Sequence, residues 1–437
     1  MASGLFSLSG SLSSFFPAPV AFLTQLTISS AAVGLTPAYS FIRLASLPLI
    51  SACVYSILHV AKLQMRPRWA SLIGGASFMF LLQYLDLALV NQWNSDDLGP
   101  VLPKDHAMRE KYEKREGSNE IHATNDSVWS KFCWAWSSMF ALRHVNTKYE
   151  ARNTPVFKDS DPSFVPSKGA FLIRESTIAL ICYLLLDLMS QRPPSPNAPQ
   201  LFDEALIPVF RRLSEVTLPQ LRLRALSIAG FAVTFWALIR GYSAAAGVVT
   251  VALGVNEPRD WRPQFGSLKL AYSLRNFWGK VWHQNLRSLL TGPAAKITYD
   301  VLHLSRGSVP ARLCSLFITF FLSGVMHSCA GIAAGMSPKQ LNVVHFFVTQ
   351  ALGIVVEDFV SLAFSKMMGQ KDKKKKTGPP SLAQRLIGYL WVAAFMTWSG
   401  PVWLYPQASR PVLPGTNSSF LPYSIIRAWK MGDLRAG

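Results

Sequence analysis

His327 is the residue in this sequence most suited to acid–base chemistry. It stands in the apolar string Phe320-Phe321-Leu322-Ser323-Gly324-Val325-Met326-His327-Ser328-Cys329-Ala330-Gly331. An ionisable side chain at membrane depth costs free energy and by default marks a functional site. Helical spacing puts Ser323, Gly324, Gly331 and Gly335 on or near the same face, a stripe with almost no side-chain bulk. Either another helix packs closely there or a cavity opens beside the imidazole. The plainer alternative is an interhelical hydrogen bond that ties a bundle together.

A second histidine, His283, lies in a connector that reads Ser273-Leu274-Arg275-Asn276-Phe277-Trp278-Gly279-Lys280-Val281-Trp282-His283-Gln284-Asn285-Leu286-Arg287. Ser273 has the chemistry of an N-cap and Gly292-Pro293 that of a stop, so the pattern predicts one helix. On it Asn276, Gly279, Lys280, His283 and Arg287 would share a polar stripe, with Trp278 and Trp282 on a neighbouring aromatic one. Such a helix turns a polar face toward a charged ligand at a membrane surface, or serves as an ordinary interfacial anchor.

The elements that must position these residues are membrane spans. Half of the 437 residues are apolar and 15% are charged, against roughly 25% charged in soluble domains. Spans are expected near 18 to 36, 41 to 60, 69 to 90, 170 to 190, 310 to 333, 340 to 364 and 384 to 404. The segment 225 to 254 is too long for one span and carries Arg240 and Gly241 near its middle, so it is one tilted span or a tight hairpin. A hairpin would place the basic loop Lys62, Arg66, Arg68 in the cytosol, in accord with the excess of Lys and Arg in cytosolic loops. The fold class expected is all-α, a polytopic transmembrane helical bundle of about seven to nine spans. The whole chain, 1 to 437, reads as a single integral membrane domain. Within it lie a polar connector (91 to 168), a cytosolic motif connector (255 to 309), core spans (310 to 364) and a basic loop (365 to 383). Trp129 to Phe140 reads as an amphipathic helix in the interface, and 201 to 224 (Leu206, Val209, Phe210, Leu213) as another. The N-terminus lacks a basic leader, so the first span is expected to act as the insertion signal.

Basic residues exceed acidic ones by 43 to 24, a net charge of +19. They sit in connectors and form no nucleic-acid reading module, so the surplus points to an anionic lipid or a phosphorylated small molecule, and nucleic acid is not an expected partner. The run Lys373 to Lys376 reads as a topology anchor. Cys53, Cys133, Cys182, Cys314 and Cys329 contain no CxxC pair and read as buried thiols, with neither a disulfide framework nor a metal site. Glu357 and Asp358 line a chamber or pair with Arg and backbone groups. Asn125 and Asn417 begin glycosylation sequons.

Together, the string from Arg275 to Arg287 and the later Phe320 to Gly331 resemble the membrane-bound O-acyltransferase family, in its wax-synthase-like branch. That branch carries a serine-leucine-x-x-phenylalanine-tryptophan-glycine motif and later a serine-glycine-x-x-histidine inside a span. These map onto Ser273, Leu274, Phe277, Trp278, Gly279, Trp282, His283, Ser323, Gly324 and His327. Upstream, Leu142 to Pro155 is similar to a degraded arginine-glycine-isoleucine-glycine-tryptophan segment of fungal members. Arg143 and the Asn153-x-Pro155 end match, but the glycines and tryptophan do not.

The resemblance implies acyl transfer from acyl-CoA to a hydroxyl within the membrane, with no tightly bound cofactor. His327 would be the general base, and His283 or Asn285 the donor to the thioester carbonyl. Trp278, Lys280, Trp282, Arg275 and Arg287, with Lys269 nearby, become candidates for holding the CoA cosubstrate. It implies further an endoplasmic-reticulum enzyme, acetyl-CoA as donor and a hydrophobic alcohol of secondary metabolism, terpenoid-like, as acceptor. A long-chain donor making wax esters is the alternative within the class, and a multi-pass transporter with His327 and Glu357 on its path the alternative outside it.

Overall fold

The computed structural model describes residues 17–95, 127–147, 149–191, 195–367, 380–410 and 419–436. Asn125, Asn417 and the Lys373 to Lys376 run lie outside them. Every regular element among the described residues is helical. The longer helices are α1 (Ala18–Leu35), α2 (Leu47–Gln64), α3 (Pro67–Leu85), α4 (Val128–Phe140), α5 (Lys168–Ser190), α6 (Leu218–Ala252), α7 (Arg287–Lys296), α8 (Val309–Ala333), α9 (Val343–Met367), α10 (Leu382–Ser399), α11 (Pro401–Ala408) and α12 (Ile425–Ala436). Seven helices among the described residues are long and apolar enough to cross a bilayer, so the chain is a polytopic helical membrane protein. They divide between two compact units, one built on 1–152 and 285–339, the other on 153–284 and 340–415, with 419–437.

The first unit is organised around α1, α3 and α4. Leu26, Val33, Phe80, Tyr84, Leu87, Ala135 and Met139 form its apolar core. Arg43, wholly buried, closes the end of α1: its guanidinium donates to the carbonyls of Val33 and Thr36, each at 3.0 Å, and to Thr36 Oγ1 at 3.1 Å. These are the carbonyls a helix C-terminus leaves unbonded, and a cation suits that end of the dipole. The predicted amphipathic helix forms as α4, with Trp129 exposed and Ala135, Ser138 and Met139 packed inward.

The second unit pairs α5 with α6, and here the hairpin expectation is corrected. Helix α6 runs unbroken through Arg240 and Gly241. The guanidinium of Arg240 meets the carboxylate of Glu175 on α5 twice, at 2.9 and 2.7 Å, with both side chains buried. A countercharge supplied by the neighbouring helix removes any need for the chain to turn back to water, and with it goes the parity reason for a cytosolic Lys62 loop. Gly241 lets α5 approach, Cys182 Cβ lying 3.0 Å from where a Cβ would stand. Residues 201 to 224 also depart from expectation. They form two short 3₁₀ turns (Glu204–Leu206, Phe210–Arg212), and α6 begins at Leu218 after a Thr217 cap. Phe210 and Leu213 stay exposed because no regular helix gathers them on one face. The span expected at 384 to 404 is interrupted at Gly400, where Pro401 starts α11. Of the cysteines, Cys133 is exposed and Cys314 half-buried, because each sits on an outward face of its helix.

Candidate active site

His283 lies in the second unit, and its segment is not the single helix the pattern predicts. Ser273 does cap it, accepting from the Asn276 N–H at 3.1 Å. Only one turn of α-helix follows, Leu274–Asn276, and then a π-turn, Phe277–Val281, closed by the Trp282 N–H on the Phe277 carbonyl at 2.7 Å. Trp282 is extended, and helix resumes only with α7, which runs through Gly292-Pro293. The polar stripe from Asn276 to Arg287 therefore does not exist as a helix face.

The backbone groups released by this irregular path are taken up by side chains. Glu357 accepts from the N–H groups of Leu274 (2.5 Å) and Arg275 (3.1 Å) and from Trp391 Nε1 (2.8 Å). Gln284, buried, donates to the carbonyls of Trp278 (3.1 Å) and Trp282 (2.6 Å). Asn153 Nδ2 donates to the Gly279 carbonyl at 2.8 Å. Gly266 completes the frame: its N–H bonds the Val281 carbonyl at 2.9 Å, and a Cβ there would collide with the Lys280 carbonyl. Glu357 and Asp358 thus act as partners for backbone and Arg.

This scaffold gathers Trp278, Trp282 and His283. Trp282 stacks on Phe277 (centroids 5.7 Å, planes 27° apart), and His283 lies 5.7 Å from Trp282 and edge-on to Phe265 at 5.9 Å. Trp278 Nε1 donates to Gln350 Oε1 at 3.3 Å, and buried Gln350 donates in turn to Ser399 Oγ at 3.0 Å. Lys280 is exposed, as is Lys269. Arg275 is exposed as well and paired with Asp358 through its Nε at 3.0 Å and through a terminal nitrogen.

His327, Asn285 and Arg287 belong to the first unit. Helix α8 is regular from its Ser308 cap to Ala333. One side of it packs tightly on α3, where Gly74 leaves no room for a Cβ beneath Ala333 and Gly75 would place one 3.3 Å from Ala330. Small residues on both helices, Gly74 and Gly75 on α3 and Ala330 and Ala333 on α8, allow this approach. Ser323 and Gly324, one turn before His327, are buried, whereas His327 keeps partial exposure. Ser328 is turned back on its own helix, donating to the Gly324 carbonyl at 3.0 Å. Asn285 is half-buried just ahead of α7. Burial lowers the pKa of Arg287, and the positive charge of Arg152 adds to the shift.

The stretch between Arg143 and Asn153 contributes structure that sequence inspection left unassigned. His144, Asn146 and Asn153 have φ of 48°, 63° and 63°. Two of these, His144 and Asn146, follow Arg143 where the fungal pattern has glycine, the residue that enters the left-handed region most freely. The Ala151 N–H bonds the Arg143 carbonyl at 2.9 Å and closes this loop. His144 is buried edge-on to Trp93, and neither ring nitrogen has a hydrogen-bond partner among the described residues. Desolvation lowers its pKa to about 4.

Among the described residues no cluster of three or more His, Cys, Asp or Glu side chains is placed to hold a metal.

Comparison with known proteins assigns the class. The Membrane bound O-acyl transferase family matches residues 261–349, which span both histidine strings. The acetyltransferase aurG of Calcarisporium arbuscula is 30% identical over 400 residues, covering 88% of this chain and 93% of that protein. The acetyltransferase eriL of Hericium erinaceus is 32% identical over 344 residues, 77% of this chain and 75% of its own. The acetyltransferase fsoF of Humicola fuscoatra is 27% identical over 412 residues, 89% and 97%. The chain belongs to the membrane bound O-acyl transferase family and is an acyl-transferring membrane enzyme.

Proposed function

We propose that this enzyme moves an acetyl group from acetyl-CoA to a hydroxyl of a hydrophobic secondary metabolite of terpenoid type, in the endoplasmic reticulum membrane. The observation that carries this is His327, an imidazole with partial exposure in an otherwise apolar span beside buried Ser323 and Gly324. The preference for acetyl rests on the relatives, whose names say acetyltransferase.

In the reaction His327 takes the hydroxyl proton as the oxygen attacks the thioester carbonyl carbon. The carbonyl oxygen gains negative charge, and a donor from His283 or Asn285 stabilises it. The carbon–sulfur bond then breaks, the imidazolium returns its proton to the thiolate, and ester and CoA leave. A thioester is activated enough for direct attack, so Ser323 and Cys329 carry no covalent intermediate. Lys269, Arg275, Lys280 and Arg287 are the basic groups proposed for the CoA phosphates, and Trp278 and Trp282 form the aromatic wall beside the donor.

Microsomes containing the protein, given labelled acetyl-CoA and an extract of hydrophobic alcohols, test this. Labelled ester is expected, and His327→Ala at equal expression should reduce its rate about 10² to 10⁴-fold, the usual contribution of a positioned base. Ester formed only from long-chain acyl-CoA would replace the acetyl donor with a fatty one. Full activity in His327→Ala would remove the base assignment.

A further inference from the structure

Two buried polar atoms, one each on Trp261 and Gln264, have no partner among the described residues, and their side chains lie against one face of α6. Gln264 is 6% exposed; its Nε2 donates to Ser243 Oγ at 2.8 Å, while its Oε1 has no partner among the described residues. Trp261 packs on Gly247, ring atoms lying 3.2 and 3.4 Å from where a Cβ would be, and its Nε1–H is likewise buried without a partner. Ser243 and Gly247 are one helical turn apart, so the two atoms are anchored on adjacent turns. Phe265, next in the chain to Gln264, sets its ring against His283 and Trp282 (5.9 and 5.4 Å).

Buried polar groups without partners are rare, because each costs about 1–3 kcal/mol. One donor and one acceptor anchored on adjacent turns of one helix face match a secondary amide, which offers a carbonyl to Trp261 and an N–H to Gln264.

We propose that Trp261 and Gln264 hold an amide of the pantetheine arm of the acyl donor and so set how far the thioester reaches past Phe265. This rests on the reading of acyl-CoA as donor.

The test uses the purified full chain in detergent micelles, with Trp261→Phe, which removes the N–H together with the pyrrole part of the ring, and Gln264→Met, which keeps volume. Calorimetric titration with CoA should show each variant binding about tenfold more weakly, the equivalent of one lost hydrogen bond of 1.4 kcal/mol. Affinity for adenosine 3′,5′-bisphosphate, which lacks the arm, should not change. In turnover, KM for acetyl-CoA should rise while KM for the alcohol stays fixed. Unchanged CoA affinity in both variants would overturn the inference, as would an equal loss for CoA and the bisphosphate, which reports general damage. A rise confined to the KM of the alcohol would give the pair to the acceptor instead. Wild-type protein that binds no CoA would sink the donor reading itself, a distinct result.

Discussion

Helix α6 and the chain from Ser273 to Gln284, both in the second unit, meet polar residues in opposite ways. In α6 the backbone ladder stays intact past Arg240, and the polarity is satisfied sideways by the Glu175 carboxylate. Between Ser273 and Gln284 the ladder is given up, and side chains bond the released backbone groups: Glu357 at the start and Asn153 in the middle, both from elsewhere in the unit, and the segment's own Gln284 at the end. The difference follows from what each segment must present. A span in lipid cannot leave a peptide group unbonded, so α6 stays helical and imports a countercharge. The motif segment must aim Trp278, Trp282 and His283 in directions that a regular helix does not offer, and polar side chains at hydrogen-bonding distance make the deviation affordable in free energy.

The contrast breaks first at Arg240. Arg240→Ala leaves the buried Glu175 carboxylate with only the longer Arg174 contact at 3.9 Å and is expected to destabilise the protein by about 3–5 kcal/mol. Replacing both members with Leu and Met should recover most of that loss in thermal unfolding, since buried pairs exchange for apolar pairs at little net cost. Failure of the double variant to recover would mean the pair does more than satisfy itself.

His144 gives a third solution, a buried group with no hydrogen-bond partner among the described residues. Its pKa of about 4 lies below the unfolded value near 6.5, so below 6.5 the unfolded chain binds the proton more readily. Stability is therefore full above pH 6.5 and falls as pH drops toward 4, by about 3 kcal/mol in total. His144→Leu should flatten the melting temperature over that window, and an unchanged slope would show that other groups set it.

Gln284 sharpens the comparison further. Gln284→Leu strips the Trp278 and Trp282 carbonyls of a buried donor and is expected to cost about 1–3 kcal/mol. Acyl transfer should fall with it as His283 loses its bearing. Ser328→Ala on the regular helix α8 removes only a bond back to the same helix and should leave both properties near wild type. The smallest effect belongs to Asp358. Its pair with Arg275 is about half exposed on both sides, so Asp358→Ala should change stability by less than about 1 kcal/mol. A larger loss would place that pair among the supports of the motif.

The sequence alone determined the helical membrane class, the start and end of α8, and the two histidine strings. Apolar runs of span length permit one backbone solution in lipid, and caps such as Ser308 mark where it begins. Only the tertiary structure decided the rest. The continuity of α6 depends on Glu175, which lies far from Arg240 in the chain and on another helix. The break after Asn276 depends on Glu357, Asn153 and Gln284, the first two of which are likewise remote in sequence. The left-handed turns at His144 and Asn146 carry no glycine to announce them. Periodicity registers which face of a helix is apolar, whereas these features are fixed by hydrogen bonds and charges between distant residues, which come together only when the chain is folded.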